Sequence, residues 1–174
     1  MKKTILKGIH RPIGLPAFLC PIGKLRERLS IKRKVTFNEN CIYIFDDEDQ
    51  WDWNKLFGMC FGITGIHQNS ARFGWRYNPQ IGMIELSTIV YKNGNSVRNA
   101  VANIAPNEEV KLEIKFDRFN DEVEVYFFVE DMYVGETLLK PNSFRYYGCG
   151  FYFGGNKVAP HKMSIKINKW KNND

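Results

Sequence analysis

The chain of 174 residues is marked first by what it lacks. No long stretch carries apolar residues at the three-and-four spacing of an amphipathic helix, which excludes a helix bundle and a doubly wound α/β sheet. No apolar run approaches the length of a bilayer-spanning helix, so no membrane partner is expected. Cysteine is sparse. Cys20, Cys41, Cys60 and Cys149 form no Cys-x-x-Cys pair, so neither a zinc site nor a disulfide framework is indicated. Cys60 and Cys149 sit in apolar runs and read as buried free thiols, which favours a reducing compartment during folding. There are no internal repeats and no low-complexity linker. The opening "MKKTILKGIHRPIGLPAFLCPIG" has an early lysine pair, but Lys7, His10, Arg11 and three prolines interrupt any hydrophobic core. It is therefore read as no signal peptide.

What is present is ring-rich and basic. Aromatic residues make up 14% of the chain, and rings of that kind suit strands and sheet-on-sheet cores. The net charge of +6 is uneven, because "KLRERLSIKRK" (24–34) holds a large share of it. With no helix-turn-helix pattern and no zinc-finger spacing, specific nucleic-acid recognition is not expected. Arg26, Arg28, Lys32, Arg33 and Lys34 are instead the candidate surface for contact with neighbouring subunits.

Alternation dominates the pattern. "EVKLEIKF" (109–116) sends Val110, Leu112, Ile114 and Phe116 one way and its charges the other. "EVEVYFFV" (122–129) and "MSIKI" (163–167) repeat the pattern, as half-buried antiparallel strands do. Further strands are expected over 4–9, 30–37, 41–45, 56–63, 71–77, 83–91, 132–139 and 147–154. "NEN" (38–40), "KNGN" (92–95) and "FND" (119–121) are the expected hairpin turns. "DEDQWDWNK" (47–55) has room for one short helical turn. So many short strands at this length imply an all-β fold: an antiparallel β-sandwich of jelly-roll type over 30–174. Residues 1–29, with prolines 12, 16 and 21, read as an irregular arm laid over the sandwich or against a neighbour.

The densest chemistry is "HQNSARFGWRY" (67–77). As a strand, "ARFGWRY" puts Phe73, Trp75 and Tyr77 on one face and Arg72, Gly74 and Arg76 on the other. Two readings stay open. In one, the rings enter the core, the arginine stems cover apolar surface, and "HQNS" is a turn tied down by Asn69 and Ser70. In the other, His67, Asn69, Arg72, Arg76 and Tyr77 line a groove for a hydroxylated or anionic sugar, since a guanidinium can grip a carboxylate with paired hydrogen bonds. Glu122 and Glu124 share a strand face at about 7 Å, within the spacing a glycosidase needs, but any wet strand offers such a pair. No catalytic residue is assigned. The acidic run "DDEDQWD" (46–52) raises calcium, yet the EF-hand pattern fails there. No metal ligand set and no cofactor is assigned.

Three blocks carry a resemblance: "DWNKLFGMCFG" (52–62), "HQNSARFGWRY" with "GMIELSTIVYKNG", and "YFGGNKVAPHKMSIKI" (152–167). In this order and spacing they resemble small concanavalin A-like jelly-roll proteins of Bacteroides-type bacteria and their tailed phages. The "YFGGN" ending also looks like the closing strands of polysaccharide-lyase and glucanase jelly rolls. The resemblance implies a lectin-like sandwich. On it rests the expectation of a non-enzymatic virion component, capsid- or tail-associated, assembled in a bacterial cytoplasm and engaging virion subunits or further copies of itself. A carbohydrate-binding module is the alternative and a polysaccharide lyase the third reading, with glycans as partners.

Overall fold

In a computed structural model, which describes residues 2–12, 22–62 and 66–170, the alternation becomes twelve strands. They are β1 (Lys2–Ile5), β2 (Ile22–Lys24), β3 (Arg28–Phe37), β4 (Asn54–Phe61), β5 (Asn69–Asn78) and β6 (Met83–Lys92). They continue as β7 (Asn95–Ile104), β8 (Glu109–Phe119), β9 (Glu122–Val129), β10 (Met132–Leu139), β11 (Arg145–Cys149) and β12 (Met163–Lys169). One six-stranded sheet runs β1-β12-β3-β8-β9-β10 and the other β2-β11-β4-β5-β6-β7. Neighbouring strands pair antiparallel throughout. The fold is the expected all-β sandwich. Among the described residues the only helical pieces are 3₁₀ turns at Glu39–Cys41 and Glu48–Trp51.

The inner faces meet in an aromatic core. Trp75, Phe73, Phe37, Phe116, Phe127 and Phe153 are fully buried. Phe73 of β5 meets Phe127 of β9 edge-on at 5.4 Å between ring centres, and Trp75 lies 5.2 Å from Phe37 of β3, so rings from both sheets interlock. Each such ring is worth roughly 1.5–3 kcal/mol when fully buried. The period of two therefore fixes which side chains of β5 remain on the outside: Ser70, Arg72, Gly74 and Arg76.

Turn chemistry sets the register. Asn93 and Gly94 both have positive φ, at 48° and 89°, and close the two-residue turn between β6 and β7. Glu130 and Asp131 do the same between β9 and β10, without glycine.

Several expectations are corrected. The irregular arm over 1–29 supplies an edge strand to each sheet, β1 against β12 and β2 against β11. Sheet edges carry unpaired backbone donors and acceptors, and short strands from this segment cover them. Pro16, Cys20 and Pro21 lie outside the described residues. "CIYIF" is not a strand: Tyr43 and Phe45 are held by ring contacts with Phe153, at 5.1 and 6.4 Å, rather than by backbone pairing. "NEN" leads into a 3₁₀ turn rather than a hairpin.

Candidate functional site

The cross-strand register lays the outward side chains of the second sheet out in rows, and on β4, β5 and β6 most of them are buried: Cys60, Ser70, Ser87 and Ile89 fully, Arg72 and Tyr91 nearly so. The first row reads Tyr147, Cys60, Ser70, Tyr91 and Ser96. The second reads Cys149, Gly58, Arg72, Ile89 and Arg98. The third reads Tyr152, Lys55, Gly74, Ser87 and Ala100. The fourth holds Arg76, Glu85 and Asn103.

Glycine shapes the floor. A Cβ on Gly58 would lie 2.2 Å from the carbonyl oxygen of Ala71 and 2.4 Å from Cα of Arg72. One on Gly74 would meet Ile89 and the Ser87 hydroxyl at 2.5 and 2.6 Å. Neither position has room for a side chain, because β5 backbone fills the space at Gly58 and the Ile89 and Ser87 side chains fill it at Gly74.

Cations gather over that floor. Arg72 is only 3% exposed, and its Nε and Nη2 have no hydrogen-bond partner among the described residues. The guanidinium carbon lies 5.3 Å from the centre of the Tyr91 ring. Lys55, half-buried beside it, donates to the carbonyl of Gly154 at 2.9 Å. Desolvation pulls the Lys55 ammonium down to about 8, and the charges of Arg72 and Arg98 add to that effect. The exposed His67 ring packs edge-on against Tyr91 at 4.9 Å. Desolvation first, and then Arg72, Lys55 and Arg98, hold its imidazole below the ordinary histidine range. Lys55 and His67 thus both register the cations around them, brought together from three strands and a loop, while the Asp52 carboxylate partly offsets the effect at Lys55. Like charges crowd only at a cost in stability.

The sequence-derived candidates separate here. His67 and Arg72 come together. Arg76 shares their face but is already neutralised: its Nε donates to Glu85 at 2.6 Å, and its Nη1 donates to the Trp51 carbonyl at 2.8 Å. Its guanidinium is also flanked by the rings of Trp53 and Trp51, at 4.1 and 5.1 Å. Asn69 and Tyr77 have the opposite parity. Tyr77 packs against the core, and Asn69 donates to Asn93 across the β6–β7 turn at 3.4 Å. Alternation in β5 places neither of them in a groove with Arg72.

The candidate assembly surface is largely paired within the chain. Arg28 bridges Asp117 at 2.6 Å, Lys32 lies 3.6 Å from Glu113, and Lys34 lies 3.5 Å from Glu109. All three acids are on β8, the neighbour of β3. Arg33 shares its strand face with Ile31 and Val35, so it is turned inward, 5.9 Å from the Phe57 ring, and is no outer-surface residue. Arg26 is exposed. Glu122 and Glu124 sit on the first sheet; one is bound to Lys140 and the other to the Tyr126 hydroxyl. In the acidic run, Asp47 and Asp49 face Lys157.

Sequence reasoning missed Lys55, Tyr91, Arg98, Tyr147 and Tyr152. Lys55 stands at the head of the apolar run that begins at Leu56, where a charge gives no alternation signal of its own. Arg98 lies on β7, an edge strand whose mostly exposed residues show no alternation.

No protein-family model and no curated protein matches the chain. Solved structures do. Alginate lyase AlyC3 superposes with a TM-score of 0.56 at 11% identity, over 84% of this chain and 64% of that one. The same lyase in complex with dimannuronate gives 0.53 at 10% identity, over 87% and 68%. A functionally unknown protein from Saccharomyces cerevisiae gives 0.50 at 12% identity, over 89% and 75%. The chain thus spans less than two thirds of the AlyC3 chain in its uncomplexed structure. The expectation of a non-enzymatic protein is overturned by these matches, because the sandwich that led to it also carries a lyase. At such identities the likeness establishes the fold: this chain is a lectin-like, jelly-roll β-sandwich.

Proposed function

We propose that the outer face of β4–β7 binds an anionic polysaccharide of the polyuronate class. The carrying observation is Arg72, a nearly buried guanidinium with two unpartnered nitrogens, surrounded by Lys55, Arg98 and His67. A uronate carboxylate supplies the missing negative charge and acceptor oxygens. Tyr91, Tyr147 and Tyr152 offer rings and hydroxyls around it for the sugar. The likeness to alginate lyase, including its dimannuronate complex, supports the same ligand class.

A second reading, polysaccharide lyase action at this face, is favoured by the His67–Tyr91 contact. An imidazole kept neutral at pH 7 can take the proton α to a uronate carboxylate. Cations on that carboxylate stabilise the charge that develops as the proton leaves. The virion reading loses its structural motive, since Arg28, Lys32 and Lys34 face carboxylates of β8.

Calorimetric titration with oligouronates and with a neutral glucan tests the proposal. Saturable uronate binding is expected, weakened in Arg72→Met and in Arg98→Ala and absent with the glucan. Equal affinity for both polymers, or uronate binding indifferent to both substitutions, would refute it. For the lyase reading, the ultraviolet absorbance of unsaturated products should grow on polyuronates and vanish in His67→Ala. A flat trace leaves a binding protein only.

A further inference from the structure

Two thiols meet at the β11 side of the same face. Cys60 stands opposite Tyr147 and Cys149 opposite Gly58, so both point outward from diagonal positions on neighbouring strands. Gly58 has no side chain to hold Cys149 away, and the two sulfurs lie 2.8 Å apart. Both residues are buried, at 0% and 4% exposure. The strand of Cys149, β11, is however only five residues long and is flanked by a three-residue edge strand, so opening there is local.

The surroundings of the two sulfurs differ from those of the third described cysteine. The Cys60 thiol is lowered by its hydrogen bond with Cys149, against desolvation, and then by the Arg72 charge and the Tyr147 and Ser70 hydroxyls. Cys41 donates to the Ser164 carbonyl at 3.4 Å in an apolar setting, and desolvation pushes it up to about 12. Thiolate character, not thiol content, sets reactivity toward oxidants.

We propose that Cys60 and Cys149 form an oxidant-sensitive dithiol that closes reversibly to a disulfide, with a peroxide as the co-reactant. Cys60 thiolate attacks one peroxide oxygen, the O–O bond breaks, and Cys60 becomes a sulfenic acid while hydroxide leaves. Cys149 then attacks that sulfur and displaces its oxygen, and the two thiol protons finish in water. Two thiols and one hydrogen peroxide thus give one disulfide and two waters. The bond ties β11 to β4 and removes the thiol beside Arg72. It is independent of any glycan.

The full-length protein is treated in its native state with hydrogen peroxide, its free thiols are alkylated, and its peptides are mapped by mass. The expected product is a Cys60–Cys149 cross-link with a mass loss of about 2 Da, reversed by dithiothreitol, while Cys41 stays alkylatable. Cys60→Ser and Cys149→Ser should each abolish it and Cys41→Ser should not; the wild-type map decides alone if a variant fails to fold. A cross-link through another cysteine, unchanged thiols, or Cys60 sulfinic acid without a cross-link overturns the proposal.

Discussion

Arg72→Met should make the protein more stable and a worse binder, and that pairing separates a ligand-binding arginine from a structural one. Methionine keeps most of the unbranched stem in its slot beside Tyr91. The substitution removes two buried, unpartnered nitrogens, each costing about 1–3 kcal/mol. Against this, it loses the contact with the Tyr91 ring, worth roughly 0.5–2 kcal/mol. The net gain is about 0–5.5 kcal/mol, centred near 3, and at about 2–4 °C per kcal/mol for a chain of this size that centre raises the thermal midpoint by roughly 6–12 °C. Loss of a charge-assisted contact of about 1.5–3 kcal/mol should weaken uronate binding about 10- to 100-fold. Urea unfolding and calorimetric titration on the same preparations give both numbers. A variant destabilised by more than about 1 kcal/mol, or one that binds as the wild type does, would refute the reasoning.

Lys55 sets a pH dependence. Its folded value of about 8 lies below the roughly 10.4 of an unfolded chain, so between those values the unfolded state holds a proton the native state has lost. Stability contributed by Lys55 therefore rises with pH across that window, by about 2 kcal/mol once solvent screening is allowed for. Subtracting the urea-derived stability of Lys55→Met from that of the wild type at each pH should isolate the rise; a flat difference contradicts it. Arg76→Ala should cost about 1–3 kcal/mol by stranding Glu85 and uncovering Trp53, yet leave uronate affinity within about twofold. A large loss of affinity in that variant would return Arg76 to the binding site. Gly58→Ala should cost at least about 2 kcal/mol and weaken uronate binding, because its Cβ drives into the backbone of β5 beside Arg72. Unchanged urea midpoint and affinity would show that the floor can yield.

Strand alternation made the sandwich legible. It outlined β8, gave β9 and β10 their full lengths, and separated the inward rings of β5 from its arginines. It failed where burial and pairing part company. Tyr43 and Phe45 are apolar because they pack on Phe153, not because they lie in a sheet. β7 is a strand through backbone pairing to β6, although most of its residues face solvent. The site was half legible for a related reason. Arg72 and Arg76 are chemically alike and share a face, but only Arg76 has a glutamate across the strand pair and two tryptophans delivered by a loop. That distinction belongs to register and loop placement, which spacing along one strand does not encode. Lys55 and Arg98 reach the site from β4 and β7, so their convergence on Arg72 depends on the strand order of the sheet.

The central claim is that Arg72, and not Arg76, meets the ligand's negative charge. The arginine side-chain Nε–H region of a nitrogen–proton correlation spectrum tests it, recorded while an oligouronate is titrated in and assigned with Arg72→Met and Arg76→Lys. The Arg72 resonance should shift saturably at the stoichiometry of binding, with the Arg76 resonance held in place by Glu85. A shift of Arg76 alone, or saturable binding that moves neither resonance, would contradict it.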